Sequence, residues 1–209
     1  MAIAIDATTH STGKTWSHTC TGSNLILFVG WTGNVTTDLV TGITYNGAAM
    51  TPIDKVLTPG DRYVYLYCLV NPDVGTHDVI VTEPTGDYVG GYSTSYTGAK
   101  QTGQPDSSNK GTVNPASSIT VATTVVASNC WLAGVVNAVN SSYTLSAGTG
   151  AYGRNFADKY DGFVDSNGVV STGSQSMQVL TTNSEAMAMI IASFSPNLTT
   201  TSGNMLLLF

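Results

Sequence analysis

Three histidines, eleven aspartates, two glutamates and three cysteines are the residues of this chain with the greatest chemical range. Their spacing decides what they can do. The densest oxygen-rich stretch is Asp158-Lys159-Tyr160-Asp161-Gly162-Phe163-Val164-Asp165-Ser166-Asn167-Gly168. Asp158, Asp161, Asp165 and the Asn167 amide oxygen are hard ligands of the kind calcium takes six to eight at a time. The spacing departs from an Asp-x-Asp-x-Asp-Gly loop and lacks a closing glutamate, so a hairpin with a polar turn is read here in preference to calcium. His10, His18 and His77 form no His-x-x-x-His or Cys-x-x-Cys pattern for zinc. His77 and Asp78 are neighbours, and on a strand neighbours face opposite ways, so the pair does not read as half of a catalytic triad. Neither a Gly-x-Ser-x-Gly elbow nor a phosphate-cradling loop is present; His10-Ser11-Thr12-Gly13-Lys14-Thr15 lacks the first glycine of the latter. Two glutamates, Glu83 and Glu185, and aspartates placed mainly in turns give no convergent carboxylate pair for glycoside hydrolysis. No catalytic residue and no cofactor is assigned from these patterns.

A non-covalent chemistry remains. Tyr88, Tyr92 and Tyr96, set among Gly90-Gly91 and serines, are candidates for an exposed aromatic platform that stacks on a neutral glycan. The competing reading places such aromatics in a core or an interface. Cys20, Cys68 and Cys130 are too few and too dispersed for a disulfide scaffold, and Cys68 and Cys130 sit in apolar runs where a free thiol acts as a small hydrophobe. Residues Met205, Leu206, Leu207, Leu208 and Phe209 form an apolar block suited to burial. It reads as a last strand of the molecule's own sheet or as a strand added to a neighbouring subunit.

The elements that must position these groups are strands. Charged residues are only 10% of 209 residues, against roughly 25% in ordinary domains, and Ser and Thr carry the polar duty instead. Apolar runs at 25–31, 62–70, 77–82, 118–121, 130–136, 175–180 and 186–194 are separated by Gly, Asn, Asp and Pro, the pattern of an all-β fold. In Arg62-Tyr63-Val64-Tyr65-Leu66-Tyr67-Cys68-Leu69-Val70, tyrosines and Leu69 alternate with Val64, Leu66, Cys68 and Val70, which predicts a central strand covered on both faces. Tyr45-Asn46-Gly47-Ala48 predicts a two-residue hairpin turn. Residues 183–192 contain good helix formers, but alternation of Met187, Met189 and Ile191 favours a strand. A polar stretch around 98–115 predicts a long exposed loop. The expected architecture is a single antiparallel β-sandwich domain over 1–209, of jelly-roll type.

The net charge of −6 argues against a nucleic-acid partner held through phosphates. No apolar run approaches the length of a membrane helix, and the first residues lack the pattern of a secretory signal, so a soluble protein without a classical export signal is expected.

Asn24-Leu25-Ile26-Leu27-Phe28-Val29-Gly30, Ile43-Thr44-Tyr45-Asn46-Gly47-Ala48-Ala49-Met50-Thr51, Tyr65-Leu66-Tyr67-Cys68-Leu69-Val70-Asn71-Pro72 and Val74-Gly75-Thr76-His77-Asp78-Val79-Ile80-Val81-Thr82 occur in that order. The progression resembles a broad group of β-sandwich proteins of tailed phages, most strongly over residues 24–137. The resemblance implies a virion structural component, such as a capsid decoration protein or a tail or fibre module, with no catalytic residues to carry over. The expected function is therefore a non-enzymatic decoration or cement protein on the outside of the shell, homo-oligomeric, with a viral capsid or tail protein as partner. A carbohydrate-binding module of a tail fibre or adhesin, using Tyr88, Tyr92 and Tyr96, is the alternative.

Overall fold

The alternation of apolar and small polar residues leads to strands throughout. The computed structural model describes residues 1–60, 62–84, 87–139, 144–156 and 160–198, with the side chains of 87–89 outside that description. In chain order the strands are β1 (Ala4–Ser11), β2 (Thr15–Cys20), β3 (Ile26–Asn34), β4 (Gly42–Tyr45), β5 (Ala48–Ala49), β6 (Thr51–Leu57), β7 (Tyr63–Val70) and β8 (Gly75–Thr82). They are followed by β9 (Asp87–Thr97), β10 (Ser107–Val125), β11 (Trp131–Ala138), β12 (Leu145–Ala147), β13 (Tyr152–Asn155), β14 (Asp161–Asp165) and β15 (Gly173–Phe194). The pairings are antiparallel, and there is no helix among the described residues.

Three sheets form, with orders β1-β9-β3-β7-β6, β2-β8-β4-β5 and β10-β15-β11-β14-β13, the last joined by β12 through β15. The all-β antiparallel class read from the sequence is what the chain builds. The sheets pack together as expected of a β-sandwich, with three of them stacked rather than two.

β3, β7 and β9 bury both faces, and their alternation sorts side chains into two cores. Leu25, Leu27, Val29, Trp31, Tyr65 and Tyr67 pack against Trp16, Ile43, Tyr45, Val79 and Val81 of the four-stranded sheet. Ile26, Phe28, Val64, Leu66, Cys68, Tyr92 and Tyr96 face Trp131, Ala133, Val135, Phe163, Ile190 and Phe194 of the third sheet. Each such fully buried large side chain contributes about 1.5–3 kcal/mol. The division of the central strand 62–70 into a tyrosine face and an aliphatic face is as its alternation predicts.

The third sheet makes its own second layer by folding over. β10 and β15 pair twice, Ser107–Val113 with residues 187–193 and Ser118–Val125 with residues 173–180, and the register breaks at Ala116 and Glu185. The two halves of β10 then lie against each other. Asn109 Nδ2 donates to the Ala122 carbonyl at 2.7 Å, Ser107 Oγ donates to the Thr124 carbonyl at 2.7 Å, and a Cβ on Gly111 would meet Val121 at 3.0 Å. Between the layers lie Ile119, Val121, Leu132, Val136, Met177, Val179, Met187, Met189 and Ile191. The runs 175–180 and 186–194 are thus two halves of one strand, and 183–192 is strand. The polar stretch 98–115 is a loop only as far as Asp106; from Ser107 its residues are the first half of β10. Their Ser, Asn, Lys and Thr side chains are largely exposed on an edge strand, which is why the composition looks like a loop.

The result is four layers. Residues before β10 supply one sandwich, residues from β10 onward supply the other, and the core containing Phe28, Tyr96 and Phe194 joins them. The Asn46-Gly47 turn has φ of 48° and 77° and closes the β4–β5 hairpin, as its sequence predicts.

Candidate functional site

The two groups of candidate residues meet each other. On β9, Tyr92 and Tyr96 lie four residues apart and so share a face, the one turned toward the second sandwich. On β14, Asp161, Phe163 and Asp165 share the face turned back toward β9. Tyr92 Oη donates to Asp161 Oδ1 at 2.7 Å, and Tyr96 Oη donates to Asp165 Oδ2 at 2.8 Å. All four residues have no exposed surface.

This overturns the glycan-platform and calcium readings and agrees with the competing reading of Tyr92 and Tyr96 as core. Tyr92 and Tyr96 cannot stack on a glycan, because their rings are core: Tyr96 packs edge-on to Phe28 and Trp131 and lies 4.9 Å from Phe194. The side chain of Tyr88 lies outside the described residues. Asp161 and Asp165 are not ligands on a loop, because they belong to a central strand and are engaged by protein donors. Asp161 also accepts from Thr32 Oγ1 at 2.5 Å. Asp165 also accepts from Arg154 Nε at 2.6 Å and from the backbone N–H of Asn167 at 2.9 Å, while Asn167 Oδ1 is taken by Arg154 Nη2 at 2.6 Å. A calcium ion needs most of these oxygens at once, and here guanidinium and hydroxyl donors hold them. Asp158 lies outside the described residues. Among the described residues no group of three or more His, Cys, Asp or Glu side chains is arranged to hold a metal ion.

What the arrangement does is brace. Two carboxylates would be costly to bury without compensation. Arg154 balances Asp165, and the Arg62 guanidinium, which lies 4.7 Å over the Tyr160 ring, attracts Asp161 electrostatically. Burial, then the Asp165 charge and hydrogen bond, push the Tyr96 phenol well above its ordinary pKa, so it stays a donor. The two Tyr-Asp pairs bond β9 to β14 and thus one sandwich to the other.

A second polar group lies inside the first sandwich. β2 alternates exposed and buried residues, placing Trp16, His18 and Cys20 inward. His18 Nε2 is 3.0 Å from Ser95 Oγ, which donates to Asp6 Oδ2 at 2.7 Å. Because the Ser95 proton goes to Asp6, the network places the imidazole proton on Nε2. Nδ1 then accepts from hydroxyls, with Thr9 Oγ1 and Ser93 Oγ each at 3.0 Å. Ser93 Oγ accepts from Trp16 Nε1 at 2.9 Å. Desolvation lowers the His18 pKa to about 4 against the opposing pull of Asp6. Serine, histidine and aspartate therefore meet in space, but in the order His–Ser–Asp. The serine proton is held by the carboxylate, and His18 and Ser95 are 1% and 0% exposed. That geometry does not activate a nucleophile. This contact joins residues of three strands and so is invisible to local spacing; the one available signal was the alternation Trp16-x-His18-x-Cys20.

Of the remaining histidines, His77 packs on Tyr45 while its neighbour Asp78 faces away and accepts from Ser17 Oγ at 2.8 Å. Cys20, Cys68 and Cys130 are free and buried, and burial raises the Cys68 thiol to about 11. The apolar block 205–209 lies outside the described residues. On the surface, a cleft of about 360 Å³ runs beside Pro52, Lys55, Tyr65 and Tyr67. The Tyr65 hydroxyl donates to Asp38, which also pairs with Lys55, and Tyr65 is only 1% exposed. No helix among the described residues is long and apolar enough to cross a membrane. Comparison of the chain with family models, with curated proteins and with solved structures found no match.

Proposed function

We propose that this chain is a non-enzymatic structural protein of a phage particle, a decoration or cement protein that binds the outside of the capsid and acts as a homo-oligomer. One observation carries the reading. Five of the side chains that the sequence offers for chemistry or ligand stacking are spent on bracing layers: Tyr92 on Asp161, Tyr96 on Asp165, and His18 on Ser95, Ser93 and Thr9. What is left facing outward belongs to a chain rich in Ser, Thr, Asn and Gly, in which only one residue in ten is charged and the net charge is −6. Such a surface recognises by shape and backbone hydrogen bonds rather than by long-range steering. The order of strand and turn motifs over residues 24–137, similar to that of phage β-sandwich proteins, supports the same reading. Particles of the encoding phage, prepared without this protein, are the reagent for the test. Purified protein added to them should co-sediment in a saturable ratio to the major shell subunit. Protein that stays in the supernatant at every concentration would overturn the proposal.

A further inference from the structure

The cleft beside Pro52 and Lys55 is shaped by a bulge. β6 is the edge strand of its sheet, where a proline removes no ladder hydrogen bond. Its register against β7 slips between Pro52 and Asp54, so that Pro52 stands across from Tyr67 and Lys55 across from Tyr65 although three residues separate them. Both therefore border the tyrosine face of β7, while Ile53 packs toward the core between the sandwiches. Val40, from the segment that leads into β4, joins them and the two tyrosines around an opening of about 360 Å³. That volume lies near the lower end of the roughly 300–1,000 Å³ of small-molecule sites, which suits one sugar ring rather than an extended chain.

One polar group at this cleft is left over. Tyr65 Oη donates to Asp38 Oδ1 at 3.0 Å, and Lys55 pairs with the other oxygen of Asp38. Lys110 Nζ donates to Asp54 Oδ1 at 2.7 Å and to the Lys55 carbonyl at 2.9 Å. Tyr67 is only 7% exposed and lines the cleft, yet its hydroxyl has no hydrogen-bond partner among the described residues. Burial, and after it the Asp38 charge, raise the Tyr67 phenol above its ordinary pKa, with Lys55 acting the other way. The hydroxyl therefore keeps its proton and lies within electrostatic reach of that ion pair. Two carboxylates and two ammonium groups balance here, so the cleft favours neither a cation nor an anion. An apolar guest would cover these polar groups without replacing the water they lose. We propose that the cleft binds a neutral, polyhydroxylated ligand one sugar ring in size, held by Tyr67 Oη, the Lys55 ammonium and the carboxylates of Asp38 and Asp54, with its C–H face on Pro52 and Val40. Hydroxyl groups donate and accept at once, which is what a mixed row of carboxylate, ammonium and phenol requires.

The inference concerns the purified full-length protein alone, so it stands or fails separately from binding to a particle. The probes are the methyl glycosides of glucose, galactose, mannose and N-acetylglucosamine at about 1–10 mM, the range in which so few contacts place the Kd. Saturation-transfer difference spectra detect binding, and amide chemical shifts of isotopically labelled protein locate it. The expected result is saturable binding of at least one probe, shifts centred on residues 38–40, 52–55 and 65–67, and about fivefold weaker binding in Tyr67→Phe, the loss of one neutral hydrogen bond. Because that hydroxyl has no partner among the described residues, the urea midpoint of Tyr67→Phe should equal that of the native protein, which separates a lost contact from a lost fold. Pro52→Arg, on the exposed wall, is the second variant and should abolish binding by filling the cleft. Saturable binding of none of the four probes, shifts centred elsewhere, or equal affinity in Tyr67→Phe would overturn the inference, as would binding of a proline-rich peptide in place of every sugar.

Discussion

Tyr92→Phe keeps the ring and removes one hydroxyl from Asp161, leaving a buried carboxylate short of a donor. Hydrogen bonds to charged groups contribute about 1.5–3 kcal/mol, so Tyr92→Phe and Tyr96→Phe should each lower unfolding stability by about that amount in urea titrations, with far-ultraviolet circular dichroism unchanged. Equal stability to the native protein would show that the two Tyr-Asp pairs do not brace the layers. His18 supplies a pH dependence of known sign. Its pKa is about 4 when folded against 6.5 as the ordinary value, so between these pH values the unfolded chain binds the extra proton. Stability from this group is complete above pH 6.5 and falls as pH drops toward 4, by about 3 kcal/mol at about 1.4 kcal/mol per unit. His18→Gln should flatten the stability profile in that window, measured as the urea midpoint at pH 7 and pH 4.5. An unchanged slope would remove His18 as its cause. These interior residues were the least legible in the sequence. A tyrosine followed by serines reads equally well as a platform or as a core face, and only the partner strand, more than sixty residues away, decides.

Elements were legible where apolar alternation was long and unbroken, as in β3, β7, β11 and the second half of β15. They were hidden where a sheet needed small residues. β9 contains Gly90-Gly91 and many hydroxyls and looks like a loop, yet Gly91 is where Trp16 and the parallel ring of Trp31 lie against the strand; a Cβ there would approach Trp16 to 2.7 Å. Thr182-Asn183, a pair with turn-forming composition, lies at the corner where β10 and β15 fold over. Gly30 in β3 shows the same logic between sandwiches, since a Cβ at that position would come within 2.8 Å of Val135. Gly30→Ala should therefore wedge the two halves apart and cost about 1–3 kcal/mol, read as a lower midpoint in thermal or urea unfolding. A variant as stable as the native protein would mean that the β3–β11 contact is looser than described.

At the scale of the whole molecule, scarcity of charge is the property that both sequence and structure express. Four layers joined by three cores need few ion pairs, and those present at the surface, such as Lys110 with Asp54, tie edge strands together rather than form a charged field. Binding to a shell through such a surface should depend weakly on ionic strength: raising salt from 50 mM to 500 mM should change the co-sedimentation constant less than about threefold, because the contacts are short-range and uncharged. A steep salt dependence would point to a charged docking patch and a different partner chemistry. The central claim, that this is a structural component of the particle, is tested most directly by quantitative mass spectrometry of purified, intact particles whose genome encodes it. The protein should be found in a fixed ratio to the major shell subunit, retained through gradient purification; its absence from intact particles while present in the infected cell would show that it is not part of the particle.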